Sequence, residues 1–80
     1  MTLKKETILE NNIITEYNSS NLKQSEYNKE NQELIMEFKK GGKYLYYKVP
    51  LLIFTKLRTA ESSGAYFSKN IAKKYKFKKL

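Results

Sequence analysis

The chain has 80 residues, 40% of them hydrophobic and 30% charged, with a net charge of 16 − 8 = +8; that allows one small core and no second. It has no His, Cys or Trp, and every acidic residue is Glu, which excludes thiolate or imidazole zinc sites, EF-hand loops and Cys–His or Ser–His nucleophile pairs. Neither a metal nor a cofactor is expected, and an enzyme is not expected, because no pair among Glu, Lys, Tyr and Ser stands at a spacing that suggests catalysis.

In chain order, residues 1–18 give a mixed signal. Leu9, Ile13 and Tyr17 recur at helical spacing, whereas Asn11-Asn12 interrupts and Ile13-Ile14-Thr15 is strand-like. Residues 1–12 are read as a loose or short helical N-terminal arm that leads into a strand, and residues 13–80 as one domain. Asn18-Ser19-Ser20-Asn21 marks a turn, a strand follows over about Leu22 to Tyr27, and Asn28-Lys29-Glu30-Asn31 is a polar turn. Leu34, Met36 and Phe38 alternate with Ile35, Glu37 and Lys39, the period of a half-buried strand. Gly41-Gly42 reads as a two-residue hairpin turn, and Tyr44 to Val49 returns as the next strand. Pro50 opens a helix whose apolar face is Leu52, Ile53, Leu57 and Ala60, with Lys56 and Arg58 in its last turn. Ser62 or Ser63 caps a second helix running to about Lys74, with Phe67, Ile71 and Tyr75 on one side and Lys69, Lys73 and Lys76 on the other, beside Tyr66. The expected fold is α+β: a small antiparallel three-stranded sheet followed by two helices packed on one face, β-β-β-α-α.

Charge is divided unevenly. Residues 1–38 carry 4 − 7 = −3 and residues 39–80 carry 12 − 1 = +11. A basic half of this kind points to a polyanion. Codon bias in an AT-rich genome would account for part of the lysine count but not for its one-sidedness. If Gly41-Gly42 is the whole turn, Lys40 pairs with Lys43, and Tyr44, Tyr46 and Lys48 share a sheet face with Ile35, Glu37 and Lys39. A loop longer by one residue reverses every assignment. In the shorter register, Tyr44 and Tyr46 are candidates to stack on bases while Lys39, Lys43 and Lys48 neutralise phosphate. The alternatives are that the two rings pack in the core, lie under the arm, or contact a protein. Tyr66, Lys69, Lys73 and Lys76 form a second candidate patch, or simply a solvated helix face. With fifteen Lys to one Arg, nucleic-acid binding is expected to be weakly sequence-specific and salt-dependent.

The spacing Tyr44-x-Tyr46-x-x-Val49-Pro50, followed by Leu57-x-x-Ala60-x-Ser62-x-Gly64-x-Tyr66-Phe67-x-x-x-Ile71-x-x-x-Tyr75, resembles the KTSC domain. Upstream, Ser19-Ser20-Asn21-Leu22, Tyr27 and Leu34-x-Met36-x-Phe38 fit the same pattern, so the resemblance covers about residues 13–80. This module is named for the C-terminus of some bacterial lysyl-tRNA synthetases and also occurs as small stand-alone proteins in bacteria and phages. Asn28 stands where the family commonly has Asp, and Ser68 where Asn often follows the Tyr-Phe pair. Tyr44 and Tyr46 match the family's central tyrosine pair. The family carries no established activity, and its synthetase neighbour suggests RNA.

The function expected is a non-catalytic basic module binding nucleic acid, RNA ahead of DNA. The alternative is a bacterial or phage interaction factor that docks an acidic protein or an assembly. A cytoplasmic location is expected, in the host cytoplasm or the virion for a phage protein, since the chain lacks Cys and shows no secretory signal. No membrane contact is expected either, because Val49–Phe54 is far shorter than the roughly 20 residues that span a bilayer.

Overall fold

Ile13, Thr15 and Tyr17 are buried while their neighbours Asn12, Ile14 and Glu16 are half-buried, a period of two that belongs to a strand. The computed structural model describes residues 3–80. Along it run β1 (Leu3–Leu9), β2 (Asn12–Tyr17), β3 (Leu22–Asn28), β4 (Glu33–Phe38), β5 (Gly42–Tyr46), α1 (Leu51–Thr59), α2 (Ser63–Asn70) and β6 (Phe77–Lys79). The strands form one antiparallel sheet in the order β1-β2-β3-β4-β5-β6. The α+β class stands, but the expected three-stranded sheet is wrong: six strands are present among the described residues. Leu3–Leu9, expected within a loose arm, is an edge strand, and Glu10-Asn11 is the turn that pairs Leu9 with Asn12. The tail contributes β6, which pairs Phe77 with Tyr46 and Lys79 with Tyr44.

Side-chain oxygens hold the turns. Ser19 Oγ accepts from the backbone of Asn21 and Leu22. Asn28 Oδ1 accepts from Glu30 N at 2.8 Å and Asn31 N at 3.3 Å, so the Asn28 amide oxygen holds the β3–β4 turn. Pro50 precedes α1 as expected, and the Ser62 hydroxyl caps α2 by accepting from Ala65 N. α2 ends at Asn70, four residues short of expectation, because the chain must reverse to bring Phe77 to the β5 edge.

Both helices cover one face of the sheet. Tyr27 stacks on Phe54 with ring centroids 4.6 Å apart, and its hydroxyl donates to Val49 O at 2.6 Å. Around this pair pack Leu22, Leu34, Met36, Leu57, Phe67 and Ile71.

The β4–β5 register overturns the parity expected from the glycines. Phe38 pairs with Gly42, Met36 with Tyr44 and Leu34 with Tyr46, so the reversal takes three residues, 39–41. A two-residue type I′ turn needs positive φ at both central positions, and of the two glycines only Gly42 has it (φ +80°). The one-residue slip turns Tyr44 and Tyr46 towards the helices and leaves Lys43 and Leu45 on the open side.

Candidate nucleic-acid interface

Tyr46 is 5% exposed and meets Phe67 edge-on at 5.3 Å. Burial pushes its phenol pKa up, with a smaller push from Tyr44. Tyr44 is half-buried and meets Phe38 at 5.8 Å. The expectation that these two rings form an open stacking pair is therefore corrected: both face the helices, Tyr46 buried in the core and Tyr44 half-buried at its edge.

The lysines placed beside them disperse. Lys39 lies in the β4–β5 turn, and Lys43 faces Glu37, a carboxylate that also pairs with Lys23 at 3.6 Å. The open face carries Glu16, Glu26 and Glu37 on β2–β4 around Ile14, Ile35 and Leu45, so its centre is acidic and apolar rather than basic. Lys69 and Lys73 are exposed on and just beyond α2. Tyr66 is half-buried, and its phenol pKa is raised first by burial and then by neighbouring Tyr75.

Another arrangement does bring aromatic and basic groups together. After β5 the chain continues through Tyr47, whose N–H donates to Lys76 O at 2.9 Å. By alternation, Tyr47 lies on the side of Lys43 and Leu45, the side vacated by Tyr46. Lys48 then adopts φ +54°, a left-handed conformation that is costly for a residue with a side chain. That bend turns Val49 into the core and leaves the Lys48 ammonium outside. The connection from α2 to β6 supplies Lys74, Tyr75 and Lys76, the β3–β4 turn supplies Asn31 and the start of β4 supplies Glu33. Together these seven residues line a groove of about 620 Å³. Its charge is 3 − 1 = +2, from Lys48, Lys74 and Lys76 against Glu33.

Of the residues singled out in the sequence, Lys48 and Lys76 reach this groove, with Lys73 next to it in the chain. Tyr47, Lys74 and Tyr75 were missed as site residues. Tyr47 becomes visible once the hairpin loop is counted as three residues. Lys74 and Tyr75 lie in the basic tail, and Tyr75 is half-buried there, packing against the core at the edge of the groove.

The KTSC domain profile matches residues 18–75. The chain belongs to the KTSC domain family. Stretches of lysine–tRNA ligases match it closely: that of Trichormus variabilis is 43% identical and that of Nostoc punctiforme 41% identical, each over 59 residues. The match takes in 74% of this chain but only 10% of either ligase, so this KTSC domain spans about a tenth of the relatives' length. The crystal structure of a KTSC domain protein from Yersinia pestis superposes with a TM-score of 0.76 over 95% of this chain and 96% of that one, at 24% identity. The fold is therefore shared across nearly the whole chain.

Proposed function

We propose that this KTSC domain is a small non-catalytic module that binds single-stranded nucleic acid, RNA in preference to DNA, with little sequence specificity. The observation that carries this reading is the groove in which Tyr47 and Tyr75 stand among Lys48, Lys74 and Lys76. A base has a π-face to stack on an aromatic ring, while lysines neutralise the phosphates on either side. Support for RNA comes from the relatives, whose name gives tRNA as what they act on. Lysine without arginine in the groove favours backbone contact over base-edge readout. This surface replaces the one built on Tyr44 and Tyr46.

The test is a binding titration of single-stranded RNA, duplex DNA and heparin over a series of salt concentrations. Lys74→Glu/Lys76→Glu should weaken binding to every polyanion and make the log–log salt slope for RNA shallower by about 1.4, from two lost phosphate contacts. Tyr47→Ala should cost about 1–3 kcal/mol for RNA and almost nothing for heparin. Tyr46→Ala serves as the packing control: it should destabilise the fold by about 3–5 kcal/mol, as removal of a buried ring does. Equal losses for RNA and heparin with Tyr47→Ala would reduce the reading to bare electrostatics. No RNA binding at physiological salt, with an acidic protein bound instead, would replace it.

A further inference from the structure

Towards the other end of β5, where Tyr44 stands three residues and so about 10 Å from the groove's Tyr47 at strand rise, lies a second cavity of about 440 Å³. That volume falls within the range of small-ligand sites. It opens between the β2–β3 turn, the β4–β5 turn and the start of α2. Its floor is aromatic: Phe38 meets Tyr44 at 5.8 Å and Phe67 at 5.4 Å, both edge-on. Phe77, 55% exposed, continues this surface from Tyr44 at 5.8 Å. Polar groups ring the rim, namely the Asn21 amide, the hydroxyls of Ser20 and Ser68, and the Lys40 ammonium. Among the described residues, Lys40 is the one charged residue in the lining, and no carboxylate lines the cavity.

We propose that this cleft binds a single nucleotide. A flat heterocycle fits the aromatic floor, where stacking and edge-on contacts with rings are favourable. Its polar edge needs both donors and acceptors, which one carboxamide and two hydroxyls supply. Its phosphate would meet Lys40, reinforced by Lys39 one residue earlier in the same turn. A cation would face an ammonium with no carboxylate in the described lining to offset it. The nucleotide is either free or one unit of a strand held in the groove. The inference rests on the proposed function for its ligand class, and its experiment separates the two sites.

The full chain, labelled with ¹⁵N, is titrated with adenosine monophosphate and, separately, with a single-stranded adenylate hexamer. The Asn21, Gly41 and Gly64 amides report on the cleft; Lys48 and Lys76 report on the groove. Adenosine monophosphate should shift the cleft amides, and Lys40→Glu should weaken that binding at least tenfold. Ser68→Trp, a change at an exposed position, should block it. Lys74→Glu/Lys76→Glu should leave the cleft shifts with the mononucleotide unchanged, and both cleft variants should leave the hexamer's affinity at the groove unchanged where the cleft takes a free nucleotide and weaken it where the cleft takes a unit of the strand. Cleft shifts with the hexamer as well identify the strand as the source; cleft shifts with the mononucleotide alone identify the free nucleotide. Cleft amides unmoved by either ligand, or moved equally in Lys40→Glu and Ser68→Trp, would overturn the inference. If the groove still responds to the hexamer in that event, the proposed function survives without the cleft.

Discussion

The Tyr17 hydroxyl shares a hydrogen bond with Ser25 Oγ at 2.8 Å, deep in the sheet, while Thr15 donates to Glu6 and Glu6 pairs with Arg58 at 2.6 Å. Burial pushes the Tyr17 pKa from 10 up to about 12, against the smaller lowering effects of the Ser25 hydrogen bond and the Arg58 charge. The folded state thus holds the phenol proton more tightly than the unfolded chain does. Stability is unaffected below pH 10, where both states are protonated, and falls as pH rises from 10 towards 12, where the unfolded chain ionises first. Two pH units at 1.36 kcal/mol each make this loss about 3 kcal/mol. Tyr17→Phe should remove this contribution to alkaline unfolding. At pH 7 it should cost about 1–2 kcal/mol, because the buried Ser25 hydroxyl loses its partner. Urea unfolding of both proteins at pH 7, 10 and 11.5 checks this. Curves that stay parallel across the three pH values would remove the linkage.

At the scale of elements, what the sequence revealed tracks how much of each element is buried. Both helices were legible as elements, since Pro50 and the Ser62 cap act locally, but the buried face of α1 was misread: Leu52 is 63% exposed, and Phe54, expected only at the edge of that face, is fully buried beside Leu57. β4 was legible because alternate residues are buried on one face. β1 was not: Ile8 and Leu9, adjacent and so on opposite faces, are both exposed, and an edge strand with little to bury leaves no alternating pattern. β6 was hidden for the same reason, as all three of its residues are exposed. The site failed for another cause: a one-residue difference in loop length inverts a strand's faces, and two adjacent glycines permit either length. β1 is tied to α1 by the Glu6–Arg58 pair, the Arg58 guanidinium also lying 5.3 Å over the Phe54 ring. Both side chains are partly buried, so the pair falls between exposed and buried cases, at about 1–3 kcal/mol. Glu6→Ala should therefore speed hydrogen exchange of the β1 amides by about 5- to 150-fold and leave the β3 and β4 amides nearly unchanged. A uniform loss of protection across the sheet would show that β1 does not open separately.

Across the whole molecule, strand order equals chain order, so the charge asymmetry of the sequence becomes an asymmetry in space. The acidic first half forms β1–β4, and the strongly basic second half forms β5, both helices and β6. This field would steer a polyanion to the β5–β6 side before any contact forms. Glu16, on the open face of β2, lies three strands from β5, about 14 Å at ordinary strand spacing. That exceeds the screening length of about 8 Å at physiological salt but not the 30 Å at 0.01 M. Glu16→Gln should accordingly change RNA affinity less than twofold at 0.15 M salt and strengthen it measurably at 0.01 M. Lys48→Glu, inside the groove, should weaken binding at both concentrations. If Glu16→Gln strengthened binding several-fold at 0.15 M, the strand would have to lie across the open face, and the groove would cease to be the primary contact.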